Sequence, residues 1–219
     1  NCATASCYRE IKLRRLRKFW LALSFRCAAS RAVPPAIRAM DIVLVNPEIP
    51  HNSGCAARLS AGLQVPLHFV KPLGFSLEDK YLKRAGLDYW PMVELYVHDD
   101  WLACLDKLSA SSPRPISERI HLLSARGGKS LFETQFAEDS VLVFGSETKG
   151  LPQELMSSYP GNRVYIPIDK RIRSLNLANV VCLTAYTAMV SAGMPLPDND
   201  GSHERDPRAD DGIRPSDLV

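Results

Sequence analysis

From Met40 onward, short uninterrupted apolar runs alternate with longer segments whose apolar residues recur at helical spacing. "DIVLVN" (41–46), "LHFVKP" (67–72), "VELYVH" (93–98), "IHLLSA" (120–125), "SVLVFG" (140–145) and "RVYIPI" (163–168) predict six strands. Runs without polar alternation are the signature of strands buried on both faces. Between them, "GCAARLSAGL" (54–63) predicts a helix with Asn52 and Ser53 as candidate caps. "SLEDKYLKRA" (76–85) predicts a helix capped by Ser76, and "DDWLACLDKL" (99–108) one with acids in its first turn. "PQELMSS" opens a short helix with Pro152 at its first position. A long closing helix over 176–192 is entered at Ser174, a candidate N-cap. Strands separated by helices imply an α/β fold: a mostly parallel six-stranded sheet with helices on both faces. Ligands of such sheets bind at the carboxyl ends of the strands.

The ends of the chain differ from this core. Residues 1–39 form a basic leader in which Leu16, Phe19, Trp20 and Leu23 share one helical face, flanked by Arg14, Arg15, Arg17 and Lys18. Rich in Arg and Ala and nearly free of acids, it has the composition of an organellar transit peptide, for chloroplast or mitochondrion. The alternative is a region lying upstream of a true start at Met40, with the protein then in the cytoplasm. Residues 195–219 form an acidic tail rich in Asp, Pro and Gly, expected to be disordered. The formal charge of +3 hides this division: residues 1–40 carry +8 and 195–219 carry −4, leaving −1 for 41–194. The core therefore offers no bulk attraction for a polyanion, and contact with nucleic acid must come from local patches. Cys2, Cys7, Cys27, Cys55, Cys104 and Cys182 show no CxxC and no Cys/His pair at ligand spacing. They read as reduced and mostly buried, the five histidines are scattered, and no metal is expected. No apolar run reaches the length of a membrane span.

Three strand-end loops carry polar residues that the helices and strands do not require. In "NPEIPHNSGCAARL" (46–59), a Pro-bounded loop runs into a helix start bearing Arg58. A helix N-terminus with a guanidinium suits a phosphate, although Asn/Ser/Gly caps alone account for much of the pattern. In "VLVFGSETKGLP" (141–152), Gly145 ends a buried strand, Glu147 follows, and Gly150 precedes a helix. Neither the P-loop nor the GxGxxG pattern fits, so a glycine-lined pocket edge with one carboxylate remains, or a plain strand–turn–helix. In "IPIDKRIRSLNLAN" (166–179), Lys170, Arg171 and Arg173 precede Asn176 and Asn179 on the first helical turn. Asn is a poor helix former, so the pair points to specific hydrogen bonds, to a ligand or to loop carbonyls.

Taken in order, "NSGCAAR", "FGSETKGLP" and "IPIDKRIRSLNLAN" resemble the three motifs of the SpoU branch of the SPOUT RNA methyltransferases. The intervening "PLGFSLEDKYLKRAGLDYW" (72–90) is similar to the tRNA (cytidine/uridine-2′-O-)-methyltransferases that act on the wobble ribose of leucine tRNAs. The resemblance covers residues 40–194. It implies a C-terminal deep trefoil knot, S-adenosyl-L-methionine as cofactor, and a homodimer whose active site is shared between subunits. By position it implies a cofactor pocket involving Leu123, Gly145, Ile166 and Ser174, shaped also by Gly150 and Leu175. Asn52, Arg58, Glu147 and Asn176 match positions linked to catalysis or site integrity. Ser146 stands where similar proteins often have Pro, and Cys55 where they often have a polar residue; neither removes an assigned group.

The implied reaction is methyl transfer to a ribose 2′-hydroxyl of tRNA, at the wobble pyrimidine of the anticodon loop. Arg58 would stabilise the developing alkoxide rather than accept its proton, because arginine stays charged. Asn176 or Ser174 would orient the ribose or the cofactor. RNA contact is expected from Lys80, Lys83 and Arg84 on one helical face and from Lys170, Arg171 and Arg173, with Tyr89-Trp90 as a stacking platform. Alternatives are 2′-O-methylation of rRNA, a knotted RNA-binding protein without catalysis, and a nucleotide-dependent oxidoreductase. The last lacks the glycine fingerprint after its first strand.

Overall fold

The computed structural model describes residues 40–78, 87–125 and 127–198. In chain order the elements are β1 (Asp41–Val45), α1 (Pro50–Leu63), β2 (Leu67–Val70), a 3-10 turn (Leu87–Met92) and β3 (Leu95–His98). Then come α2 (Trp101–Ser109), the one-turn α3 (Ile116–Arg119), β4 (Ile120–Leu123), β5 (Lys129–Ser130) and β6 (Val141–Phe144). The chain ends in α4 (Gln153–Ser158), β7 (Arg163–Tyr165) and α5 (Leu177–Ser191).

The strands form one sheet in the order β3-β2-β1-β6-β4-β7-β5. Every pairing is parallel. Among the described residues the sheet has seven strands, where six were expected. The extra one, β5, is two residues long and pairs with β7 at the edge, too short to leave a periodic trace.

Alternate residues of each strand face opposite cores, which is why the strands read as unbroken apolar runs. Ile42, Leu44, Leu142 and Phe144 pack with Ala56, Ala57 and Leu63 of α1 and with Val181, Ala185 and Ala188 of α5. Val43, Val45, Val141 and Val143 pack on the other face with Cys104 and Leu108 of α2 and Leu155 of α4. Helices thus cover both faces. Among the described residues, no helix is long and apolar enough to cross a membrane.

Several helix starts differ from expectation. Asn52 and Ser53 lie inside α1, which begins at Pro50 and has Ile49 at its N-cap with no side-chain hydrogen bond from that residue. The N-cap of α5 is Asn176, not Ser174; its side chain accepts from the amides of Ala178 and Asn179. Pro152 is the N-cap of α4 rather than its first helical residue. α2 begins after the two acids expected in its first turn: Asp100 is its N-cap instead, its carboxylate accepting from the Ala103 amide at 2.8 Å. Ser76 Oγ accepts from the Glu78 amide at 3.2 Å, and the helix predicted after it lies largely outside the described residues.

Candidate active site

The carboxyl ends of β4, β6 and β7 open toward the start of α5 and enclose a cavity of about 520 Å³. Its walls include Leu123, Gly145, Glu147, Gly150, Ile166, Ser174, Leu175, Asn176 and Asn52. All three loops singled out in the sequence therefore meet in one place, at the strand ends where α/β sheets bind ligands.

A hydrogen-bonded chain ties these loops together. Glu147 Oε2 accepts from the Glu48 amide at 2.9 Å, and Oε1 accepts from the Ile49 amide at 3.3 Å and from Asn52 Nδ2 at 3.0 Å. Asn52 Oδ1 accepts in turn from Asn176 Nδ2 at 2.9 Å. Asn176 Oδ1 accepts from the amides of Ala178 and Asn179. Glu147 thus fixes the backbone that leads into α1, from 98 residues away. Glu48 answers from the other side: its carboxylate accepts from the Thr148 amide at 3.1 Å and from Thr148 Oγ1 at 2.8 Å. Two carboxylates on two loops each hold the other loop's backbone. Asn52 is buried at 4% exposure, so both ends of its amide need partners, and it has them.

The two glycines of the β6 loop have separate reasons. A Cβ on Gly145 would lie 2.1 Å from the Gly150 carbonyl carbon and from the Leu151 amide nitrogen. Its bareness lets the loop fold back on itself while Gly145 still lines the cavity. The Ser146 and Gly150 backbones then pair in both directions, at 3.2 and 2.9 Å. Gly150 has φ +71, a left-handed conformation that glycine adopts freely.

The cations divide. Arg173 lines the cavity. Arg171 is exposed and forks onto Asp169, with Nε and Nη2 each 2.9 Å from a carboxylate oxygen. That pairing lowers the Asp169 pKa and raises that of Arg171. Lys170 is exposed. Lys80, Lys83 and Arg84 lie outside the described residues. Arg58 is not part of this chain's own cavity wall. It is exposed, with its guanidinium 5.2 Å from the Tyr89 ring centroid. Trp90 packs against the core, so Tyr89-Trp90 is not a free stacking pair. Lys149 and Ser124 also line the cavity and were not singled out from the sequence, nor was Glu48. Glu48 lies between Pro47 and Pro50, where its only visible signal was loop chemistry.

Residues 39–186 match the model of the SpoU rRNA Methylase family. The chain belongs to this family. Among its relatives is a tRNA (cytidine(34)-2′-O)-methyltransferase of Methylovorus glucosotrophus, 45% identical over 149 residues, which span 68% of this chain and 92% of that protein. A protein of the same name from Yersinia pestis is 38% identical over 157 residues, 71% of this chain and 96% of its own. A solved structure described as giving structural insights into the 2-OH methylation of C/U34 on tRNA is 43% identical, with a TM-score of 0.65, covering 72% of this chain and 98% of that one. A SpoU methyltransferase from Streptomyces viridochromogenes, 20% identical with a TM-score of 0.62 over 71% of this chain and 61% of that one, shares the fold. The SpoU match includes all three loops that build the cavity.

Proposed function

We propose that this chain is an S-adenosylmethionine-dependent methyltransferase acting on the ribose 2′-hydroxyl of the wobble pyrimidine in tRNA, leucine tRNAs foremost. The observation that carries the reading is the cavity in which the three motif loops are locked together through Asn52, Glu147 and Asn176. The names of the 38–45% identical relatives support the tRNA substrate and the position of the nucleotide.

The residues present fit the cofactor. The cavity falls within the usual size range for small-molecule sites. Leu123, Ile166 and Leu175 offer apolar contact for an adenine ring, and the β6 loop offers main-chain groups. When bound, S-adenosylmethionine supplies a methyl carbon on a sulfonium. Glu147 keeps the loops in register and would set a carboxylate in the wall of the cavity that takes the cationic donor. Asn176 and Ser174 orient the ribose or the donor's polar end. Arg173 and Lys149, at the same wall, are suited to the phosphates flanking the target nucleotide.

Arg58 has its role in a homodimer. Exposed and absent from its own chain's cavity wall, it reaches the partner's cavity and steadies the developing alkoxide there, remaining protonated throughout. The turns around β6, β7 and α5 form the deep trefoil knot of the family.

The test uses tritiated S-adenosylmethionine and anticodon stem-loops bearing either a 2′-hydroxyl or a 2′-deoxy sugar at the wobble nucleotide. Label enters the hydroxyl substrate alone. Equal labelling of both, or of neither, overturns the reading; binding without labelling would indicate a knotted RNA-binding protein.

A further inference from the structure

Side chains from β2, β3 and α2 meet between α2 and the half of the sheet formed by β1, β2 and β3. His68 (1% exposed), His98 (9%) and Cys104 (0%) bring one ligand atom each to within 4.8 Å of one another. His68 Nδ1 and His98 Nε2 are 2.9 Å apart, and their rings stack at 5.2 Å between centroids. The sheet register explains the meeting. His68 stands opposite Tyr96 on β3 and Val43 on β1, so Asp41 and His98, two residues to either side, share its face. α2 lays Cys104 over that row.

We propose that His68, His98 and Cys104 form a binding site for a zinc-like divalent cation. Two imidazoles and a thiolate are a donor set that tetrahedral zinc takes, with a fourth position left for water. Ligands of such an ion lie roughly 3.3–3.6 Å apart, so the two nitrogens separate slightly and the sulfur closes in.

The surroundings point the same way. A metal-bound histidine usually hands its other nitrogen to a carboxylate, and His68 Nε2 lies 3.2 Å from Asp41 Oδ1. Asp41 is 2% exposed, and among the described residues its Oδ2 has no hydrogen-bond partner, with Arg119 Nη2 standing 3.8 Å away. A cation among the histidines adds positive charge beside that carboxylate. Lys107 opposes it, but the Lys107 ammonium is held 4.3 Å above the Tyr96 ring.

The proton count is simple. With His68 Nε2–H donating to Asp41 and His98 Nε2–H donating to His68 Nδ1, metal entry shifts the His98 proton to its Nδ1. Both imidazoles stay neutral, and the Cys104 thiol releases one proton to the buffer. The bound ion pins α2 to β2 and to β3, the edge strand.

The full chain, stripped with chelator, is titrated with Co²⁺. One equivalent should bind, with visible bands of a tetrahedral ion and a near-ultraviolet sulfur-to-cobalt band, displaced by Zn²⁺. Cys104→Ala should lose the near-ultraviolet band and at least tenfold in affinity. Asp41→Asn should keep the band while losing roughly 10- to 100-fold in affinity. A second arm needs no substitution: Zn²⁺ raises the melting temperature of the unaltered chain by several degrees, and chelator reverses it. The proposal fails if stripped protein takes up no cobalt, if the sulfur band survives in a folded Cys104→Ala protein, or if zinc leaves the melting temperature unmoved.

Discussion

Asn52 and Asn176 lie 124 positions apart and hydrogen-bond side chain to side chain. Each also makes a second bond, Asn52 to Glu147 and Asn176 to the first amides of α5. Asn176→Ala removes a cap and a bridge at once. Urea unfolding should show a loss of about 1–2 kcal/mol, and methyl transfer should fall at least tenfold in kcat/KM. A change in stability with activity unaltered would assign Asn176 to capping alone. His121 gives a different residue-scale effect. Burial, with Arg114 nearby, lowers its pKa from 6.5 to about 4. The unfolded chain therefore binds the proton first. Stability contributed by the neutral ring is complete above about 6.5 and drains away as pH falls toward 4. The full loss is about 3 kcal/mol. His121→Gln should flatten the decline of the melting temperature between pH 6.5 and 4; an identical slope in both proteins would refute this.

At the scale of elements, the β6 loop is the tightest piece of the site. Gly145→Ala puts a methyl group 2.1 Å from the Gly150 and Leu151 backbone, which must then move. We expect a folded protein with S-adenosylmethionine affinity down at least tenfold by calorimetry, because the displaced segment is the cavity wall. Affinity equal to the parent's would show that the loop's fold-back is dispensable. The same loop marks what the sequence reveals. Strands β1, β2, β4 and β6 were legible because burial on both faces leaves an unbroken apolar run. β5 was not, since two residues have no period. Asn52 and Ser53 looked like caps because cap residues near a helix start are common. The side chain that takes up the α1 entry amides comes from Glu147, which no local window contains. His68, His98 and Cys104 were invisible for the same reason: sheet register and helix docking unite them, not spacing.

At the scale of the molecule, the position of Arg58 decides the expected assembly. Two defective chains can test it. Arg58→Ala retains a sound cavity, and Asn176→Ala retains a sound guanidinium. If the site is shared, mixing the two under subunit exchange restores roughly a quarter of the parental sites, because half of the dimers are mixed and each carries one complete site. Activity equal to the sum of the separate variants would mean that Arg58 serves its own chain or none.

The long reach of Glu147 also bears on the order of synthesis. β1 and α1 leave the ribosome early, yet the carboxylate that quiets the α1 entry and the strand that flanks β1, β6, are made roughly a hundred residues later. A nascent chain halted after β4 carries a first helix with a ragged start and a first strand with one bare edge. Translation must run past Glu147 before the opening segment of this domain has all of its partners, so the part made first cannot be finished first.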